Sequence, residues 1–290
     1  MTVQPRHLYS LRLRSKTLSL GERTLLMGVL NATADSFTDG GKYLHPEAAL
    51  AQARRIIAEG ADLLDVGAES TRPFADPVPL DLELQRVIPV IEQIRSFSDI
   101  PISIDTYKAE VARQAILAGA DIINDVSALR FDQQMVKVAA ATGVPVILMH
   151  MHGTPRDMQK APHYDSLFSE IIAFLEQRVQ FAMANGVDRH QILVDPGIGF
   201  GKTVTHNLLL VRDLERFHVL DRPILLGASR KRFIGAILQR DVDDREVGSG
   251  VVHSLAVAAG VHVLRVHDVA FHKQVAVMGD CLRAGAWHET

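Results

Sequence analysis

Only one cysteine, Cys281, occurs in the 290 residues. It allows no internal disulfide and no thiolate metal cluster, and it fits a reducing cytoplasmic setting. No basic tract is present and the formal net charge is -3, so nothing points to a nucleic-acid partner. An anion must therefore be held by a few placed cations, not by a general field. No run reaches the ~18 apolar residues of a membrane span. The opening MTVQPRHLYSLRLRSK has basic residues but no apolar core after them, so no signal peptide is expected. What is present, 47% hydrophobic and 22% charged residues, is the composition of a globular protein and excludes disorder.

The chain has a repeating plan. Residues 1–24 read as a preface: LYSLRLR alternates apolar and polar, Ser15-Lys16-Thr17 follows, then LSL. That predicts a hairpin capping one end of a larger body. From Leu25 onward eight apolar runs suit strands buried on both faces, at 25–30, 62–68, 101–106, 121–127, 145–151, 191–197, 223–228 and 261–269. Helical patterns lie between them. Leu50, Ala53 and Ile57 make one helix face, and Val111, Ala115 and Ala118 another. Glycines 60, 119, 143, 186 and 260 close helices before the next strand, while Pro101 and Pro223 open two strands. Eight such alternations predict an α/β fold, a closed (β/α)₈ TIM barrel with an N-terminal β-hairpin, in one domain. A doubly wound open sheet is the rival, but no Gly-x-Gly-x-x-Gly follows the first strand.

In a barrel the C-terminal strand ends share one mouth. Those ends carry Asn31; Glu69, Ser70, Thr71 and Arg72; Asp105; Asn124 and Asp125; His150 and His152; Asp195; Ser229, Arg230 and Lys231; Arg265 and His267. Asp105, Asn124 and Asp195 suit the N–H groups of a flat heterocycle. Arg72, Arg265, His267 and Lys231 suit a phosphate or carboxylate. Arg265 and His267, two apart on a strand, point the same way and predict a phosphate clamp. Ser229 and Arg230 stand between a strand and a helix, where a carboxylate is readily bound. Two further motifs carry less. DPGIGFGKT lacks the first Walker A glycine, since Pro196 stands five before Gly201. His150-Met151-His152 has a zinc-like spacing without a companion acid or thiol, and a polar strand end is the plainer reading.

Taken together, MGVLNATADSFTDGG, DVGAESTRP, IDTYKAEVA, IINDVSAL, LMHMHGTPRDMQ, LVDPGIGFGKT, GASRKRFIG and RVHDV resemble the dihydropteroate synthase family over almost the whole chain. The resemblance implies a pterin-binding barrel over residues 1–290, with 1–24 as an extension. It implies the joining of 4-aminobenzoate to 6-hydroxymethyl-7,8-dihydropterin diphosphate in folate biosynthesis. Asp35, Lys231 and Arg265 would be catalytic. Asp105, Asn124, Asp195 and Lys231 would hold the pterin, and Phe200 and Gly227 would be further substrate-binding residues. Thr71, Arg72, Arg265 and His267 would hold the diphosphate, and Asn31 a Mg²⁺ ion beside it. Ser229 and Arg230 would meet the aminobenzoate carboxylate, with Phe37 and Pro73 on two loops completing that pocket. The resemblance further implies a cytoplasmic homodimer. The chain departs from the family at Ala32 and Ala34, in place of valine and proline, at Phe74 in place of glycine, and at Tyr107 and Ala109. A pterin-dependent methyltransferase domain and a catalytically silent pterin-binding protein remain as alternatives.

Overall fold

The structure is a computed structural model and describes residues 6–32, 47–69 and 77–287. Strands β1 (Tyr9–Arg12) and β2 (Thr17–Leu20) form the expected antiparallel hairpin. Each of the eight expected runs then holds one parallel strand. These are β3 (Leu25–Asn31), β4 (Leu63–Gly67), β5 (Ile102–Asp105), β6 (Ile122–Asp125), β7 (Val146–Met149), β8 (Ile192–Asp195), β9 (Leu225–Leu226) and β10 (Val263–Val266). The hydrogen-bonded order is β8-β7-β6-β5-β4-β3-β10-β9. A parallel bridge between Val194 and Ile224, with Val194 N–H donating to the Pro223 carbonyl at 3.0 Å, joins the two ends. That bridge closes the sheet into a barrel and removes the open-sheet alternative.

Proline opens strands here because it lacks only the donor. The carbonyls of Pro101, Pro145 and Pro223 each accept from the neighbouring strand. Outside the barrel lie α1 (Glu47–Ala58), α2 (Leu80–Arg95), α3 (Ala109–Ala118), α4 (Met135–Thr142), α5 (Leu167–Ala184), α6 (Val204–Arg212), α7 (Arg232–Leu238), α8 (Glu246–Ala258) and α9 (Val269–Ala284). The buried side of α1 is Ala49, Ala53 and Ile56, with Leu50 and Ile57 only partly covered. The stripe is shifted from the expected one because Gly28 of β3 leaves a notch. A Cβ there would stand 2.4 Å from Ile56 Cγ2, so Ile56 is the residue that seats.

Strand alternation sorts the side chains into two compartments. One face of each strand turns outward to the helices, as with Leu64, Val66, Ile104, Ile123, Val194 and Leu264. The inward face starts apolar. Leu25, Met27, Leu63, Ile122, Ile147, Leu193, Leu225 and Val263 form a floor, and Leu11, Leu13 and Leu20 of the hairpin region seal it from below. Gln191 fastens the seal: its Oε1 accepts from Arg12 N–H at 2.9 Å and its Nε2 donates to the Arg12 carbonyl at 2.7 Å. One inward position further along, the same strands turn polar.

Candidate active site

Two residues beyond the floor, the period of a strand gives Asp65 above Leu63, Asn124 above Ile122, Asp195 above Leu193, Gly227 above Leu225 and Arg265 above Val263. Asp105 ends β5 beside them. These side chains meet. Arg265 donates from Nε to Asp65 at 2.6 Å and from Nη2 to Asp105 at 2.8 Å. Asn124 Nδ2 reaches the two Asp65 oxygens at 3.3 and 3.2 Å. Asp195 Oδ1 accepts from Gly197 N–H at 2.7 Å. A Cβ on Gly227 would lie 3.8 Å from Arg265 and 4.0 Å from Asp195. The missing side chain therefore leaves open space between a cation and an acid.

Beside this chamber, Lys231 Nζ lies 4.1 Å from the Phe200 ring centroid. Phe200 packs with Val126, Met149, Met151 and Met158 into an apolar wall. At the rim, the Ser229 hydroxyl is 2.9 Å from His267 Nδ1. Arg230 turns its Nε to Glu246 at 2.9 Å, so its guanidinium is engaged by α8. Asn31, Gln52, Arg230, His267 and Asp268 border a cleft of about 620 Å³ to one side of the chamber.

The electrostatics follow from burial. Asp195 is pushed up to about 6 by desolvation, against the Gly197 N–H and the charges of Lys231, Lys202 and Arg265. Burial also raises Asp105, opposed chiefly by Arg265. For Arg265 itself burial opposes the charge, yet Asp65 and Asp105 outweigh it and hold the guanidinium above its ordinary range. Lys202, fully enclosed, is pushed down to about 7 by desolvation.

Of the residues expected from sequence, Asp105, Asn124, Asp195, Phe200, Gly227, Lys231 and Arg265 gather in and around the chamber. Ser229, Arg230, His267 and Asn31 stand at the rim. Asp35, Phe37, Thr71, Arg72 and Pro73 lie outside the described residues. The expected pairing of Arg265 with His267 takes a different form: Arg265 engages two carboxylates inside the chamber, and His267 engages Ser229 at the lip. Asn124 and its neighbour Asp125 separate, as alternation requires. Asp125 points away from the mouth and accepts from Ser127 and Leu129 N–H at 2.8 and 2.9 Å, stabilising the turn after β6. Glu69 is tied to Lys108 and to the Tyr107 hydroxyl, a supporting role.

Two residues escaped the sequence reading. Asp65 is completely buried and holds both Arg265 and Asn124. Its signal was an acid inside an apolar run, one strand period beyond Leu63. Lys202 donates to His150 Nδ1 at 2.9 Å and to the Phe200 carbonyl at 3.0 Å. It stood in the glycine-rich segment set aside together with the Walker A likeness.

A closed barrel with acids, an amide and a cation lining its C-terminal mouth over an apolar floor defines a (β/α)₈ enzyme for a flat, nitrogen-rich small molecule. The family model described as "Pterin binding enzyme" matches residues 27–267, and this chain belongs to that family. A dihydropteroate synthase of Synechocystis sp. is 46% identical over 263 residues, covering 90% of this chain and 91% of that protein. The structure of Xanthomonas albilineans dihydropteroate synthase with 4-aminobenzoic acid superposes with a TM-score of 0.89 at 44% identity, covering 96% of this chain and 99% of that one. The same enzyme with 7,8-dihydropteroate gives a TM-score of 0.85 at 42% identity, covering 95% of this chain and 99% of that one.

Proposed function

We propose that this chain catalyses the dihydropteroate synthase reaction, joining 4-aminobenzoate to 6-hydroxymethyl-7,8-dihydropterin diphosphate with loss of diphosphate. The observation that carries the proposal is the chamber of Asp65, Asp105, Asn124, Asp195 and Arg265 above a sealed apolar floor. Carboxylates and an amide there match the alternating N–H donors and acceptors on the edge of a pterin. Phe200 and its methionine neighbours offer the apolar face on which the bicycle lies. Gly227 leaves the depth for it.

The reaction breaks the bond between the pterin methylene and the diphosphate oxygen, and the electron pair leaves with diphosphate. The arylamine nitrogen forms the new C–N bond and loses a proton. Because that amine is neutral at pH 7 and a good enough nucleophile, no strong base is required. We favour a dissociative (SN1-like) order, in which the electron-rich dihydropterin delocalises the positive charge left on the methylene. Lys231, at the chamber's edge, would offset charge on the departing group, and His267, at the rim, would offer it a hydrogen bond. The Ser229 hydroxyl beside His267 is available to the aminobenzoate carboxylate.

Magnesium belongs to this proposal. Among the described residues no group of three His, Cys, Asp or Glu could hold a metal unaided. A hard ion carried by a diphosphate needs only one or two protein oxygens, and the Asn31 amide at the end of β3, on the cleft beside His267, fits that need. When bound, Mg²⁺ would lower the charge on the leaving diphosphate. A cytoplasmic homodimer completes the reading. It is supported by the lone Cys281 and by exposed Val247, Val251 and Leu255 on α8 and Val277, Met278 and Leu282 on α9.

The test is diphosphate release and dihydropteroate formation by the purified chain with Mg²⁺, with and without aminobenzoate. Product formation is expected with the amine present, together with slow diphosphate release in its absence. Activity only as a methyl transfer, or binding with no turnover, would replace the proposal. Complete dependence of diphosphate release on the amine would argue for direct displacement.

A further inference from the structure

Lys202 lies in the connection between β8 and α6 and is 3% exposed, yet the reaction as described gives it no task. Its two acceptors, the Phe200 carbonyl and His150 Nδ1, are neutral. Burial holds His150 below the ordinary imidazole range, and Lys202 itself adds to that effect. So the ring accepts from Lys202 at Nδ1 and keeps its proton on Nε2. A buried ammonium without a contacting carboxylate is costly, and a methionine would fill the same space more cheaply. The connection around it is fixed on several sides. Gln159 Nε2 donates to the Gly199 carbonyl at 2.6 Å, and the Tyr164 hydroxyl donates to the Gly201 carbonyl at 2.9 Å. Gly197, with a φ of 70°, sits so close to His150 that a Cβ would stand 1.9 Å from its carbonyl oxygen. Lys202 therefore cannot swing out to water without dismantling the loop.

What the ammonium reaches is the substrate chamber. It grips the carbonyl of Phe200, whose ring lies against Lys231. Through His150 it also stands one residue from Asp195: Lys202 donates to His150 Nδ1, and the His150 backbone N–H donates to the Asp195 carbonyl at 2.9 Å. The titratable groups that act on Lys202 are Asp195 and Lys231, and those that act on His150 besides Lys202 are Arg130 and His152. We propose that Lys202 is a positioning residue for heterocycle recognition: it fixes the Phe200 side of the chamber and supplies the buried positive charge that keeps Asp195 an acceptor. The proposal rests on the pterin-binding reading above.

The experiment is a fluorescence titration of the full chain with 6-hydroxymethylpterin from about pH 5 to about pH 8, for the native protein, Lys202→Met and Lys202→Arg. Lys202→Met should weaken binding about tenfold near neutrality and move the midpoint of its acid limb upward by about one pH unit. Lys202→Arg, which keeps the charge, should restore the midpoint, and the KM for aminobenzoate should stay at its native value in both. A Lys202→Met protein with the native midpoint would overturn the inference, because a merely structural lysine would not move it. Absence of pterin binding by the native protein would overturn the pterin reading instead. Should Lys202→Met fail to fold, NMR of side-chain-labelled lysine in the native protein decides. A lysine signal titrating near neutral pH and shifting when pterin is added is expected, and it should persist in Lys231→Arg; the absence of such a signal, or one that pterin leaves unmoved, would overturn the inference.

Discussion

Arg265 bridges Asp65 and Asp105, and removing it would leave a completely buried carboxylate without its cation. Arg265→Ala should therefore lose about 3–5 kcal/mol of stability as well as turnover, read by urea denaturation. Arg265→Lys keeps a charge but not the two-pronged geometry. It should fold and still lose most activity, which separates the chemistry from the stability. Asp195 gives a pH signature with two opposite signs. Its carboxyl sits at about 6 in the folded chain against 3.8 ordinarily. As pH falls through about 6, protonation relieves the cost of a buried charge, so this group destabilises the folded chain less. Protonation also removes an acceptor for pterin N–H groups, so pterin affinity should fall over the same window. Asp195→Asn should flatten that acid limb in a binding titration; an unchanged limb would move the titration to another group.

At the scale of elements, the hairpin is a plug. Leu11 is fully buried against the barrel floor, and Leu11→Ala should cost about 2–5 kcal/mol while leaving kcat near its native value, since the polar layer lies above that floor. A large kcat loss with little change in melting temperature would show that β1 and β2 serve the chemistry instead. The eight strands were legible in the sequence because each is a short apolar run punctuated by glycine or proline. Glycines 60, 119, 143, 186 and 260 indeed adopt positive φ where helices end. The strand-end polar residues were legible for the same reason. Less could be read where one strand carries two roles. Nothing in IINDVS says whether Asn124 or Asp125 faces the mouth until register with Ile122 is known. Likewise Asp65 and Lys202 look like interruptions of a pattern until closure brings Arg265 and His150 to them.

For the whole molecule, the outward faces of α8 and α9 carry Val251, Leu255, Met278 and Leu282 in the open. These two helices pack side by side, and the proposed homodimer would bury their exposed apolar residues. Sedimentation should give a dimer for the native protein and a monomer for a Val251→Glu, Leu255→Lys double variant; a native monomer at micromolar concentration would remove the homodimer from the account. On the proposed function the pterin would sit inside the mouth, over the hydrophobic floor, and not in the cleft beside it. A crystal structure with 7,8-dihydropteroate bound tests this most directly. The bicycle should lie within hydrogen-bond distance of Asp105, Asn124 and Asp195, with its aminobenzoate arm leaving past Lys231 toward Ser229. Density for the bicycle against Gln52, Arg55 and Glu59 in the lateral cleft, with the chamber empty, would contradict it.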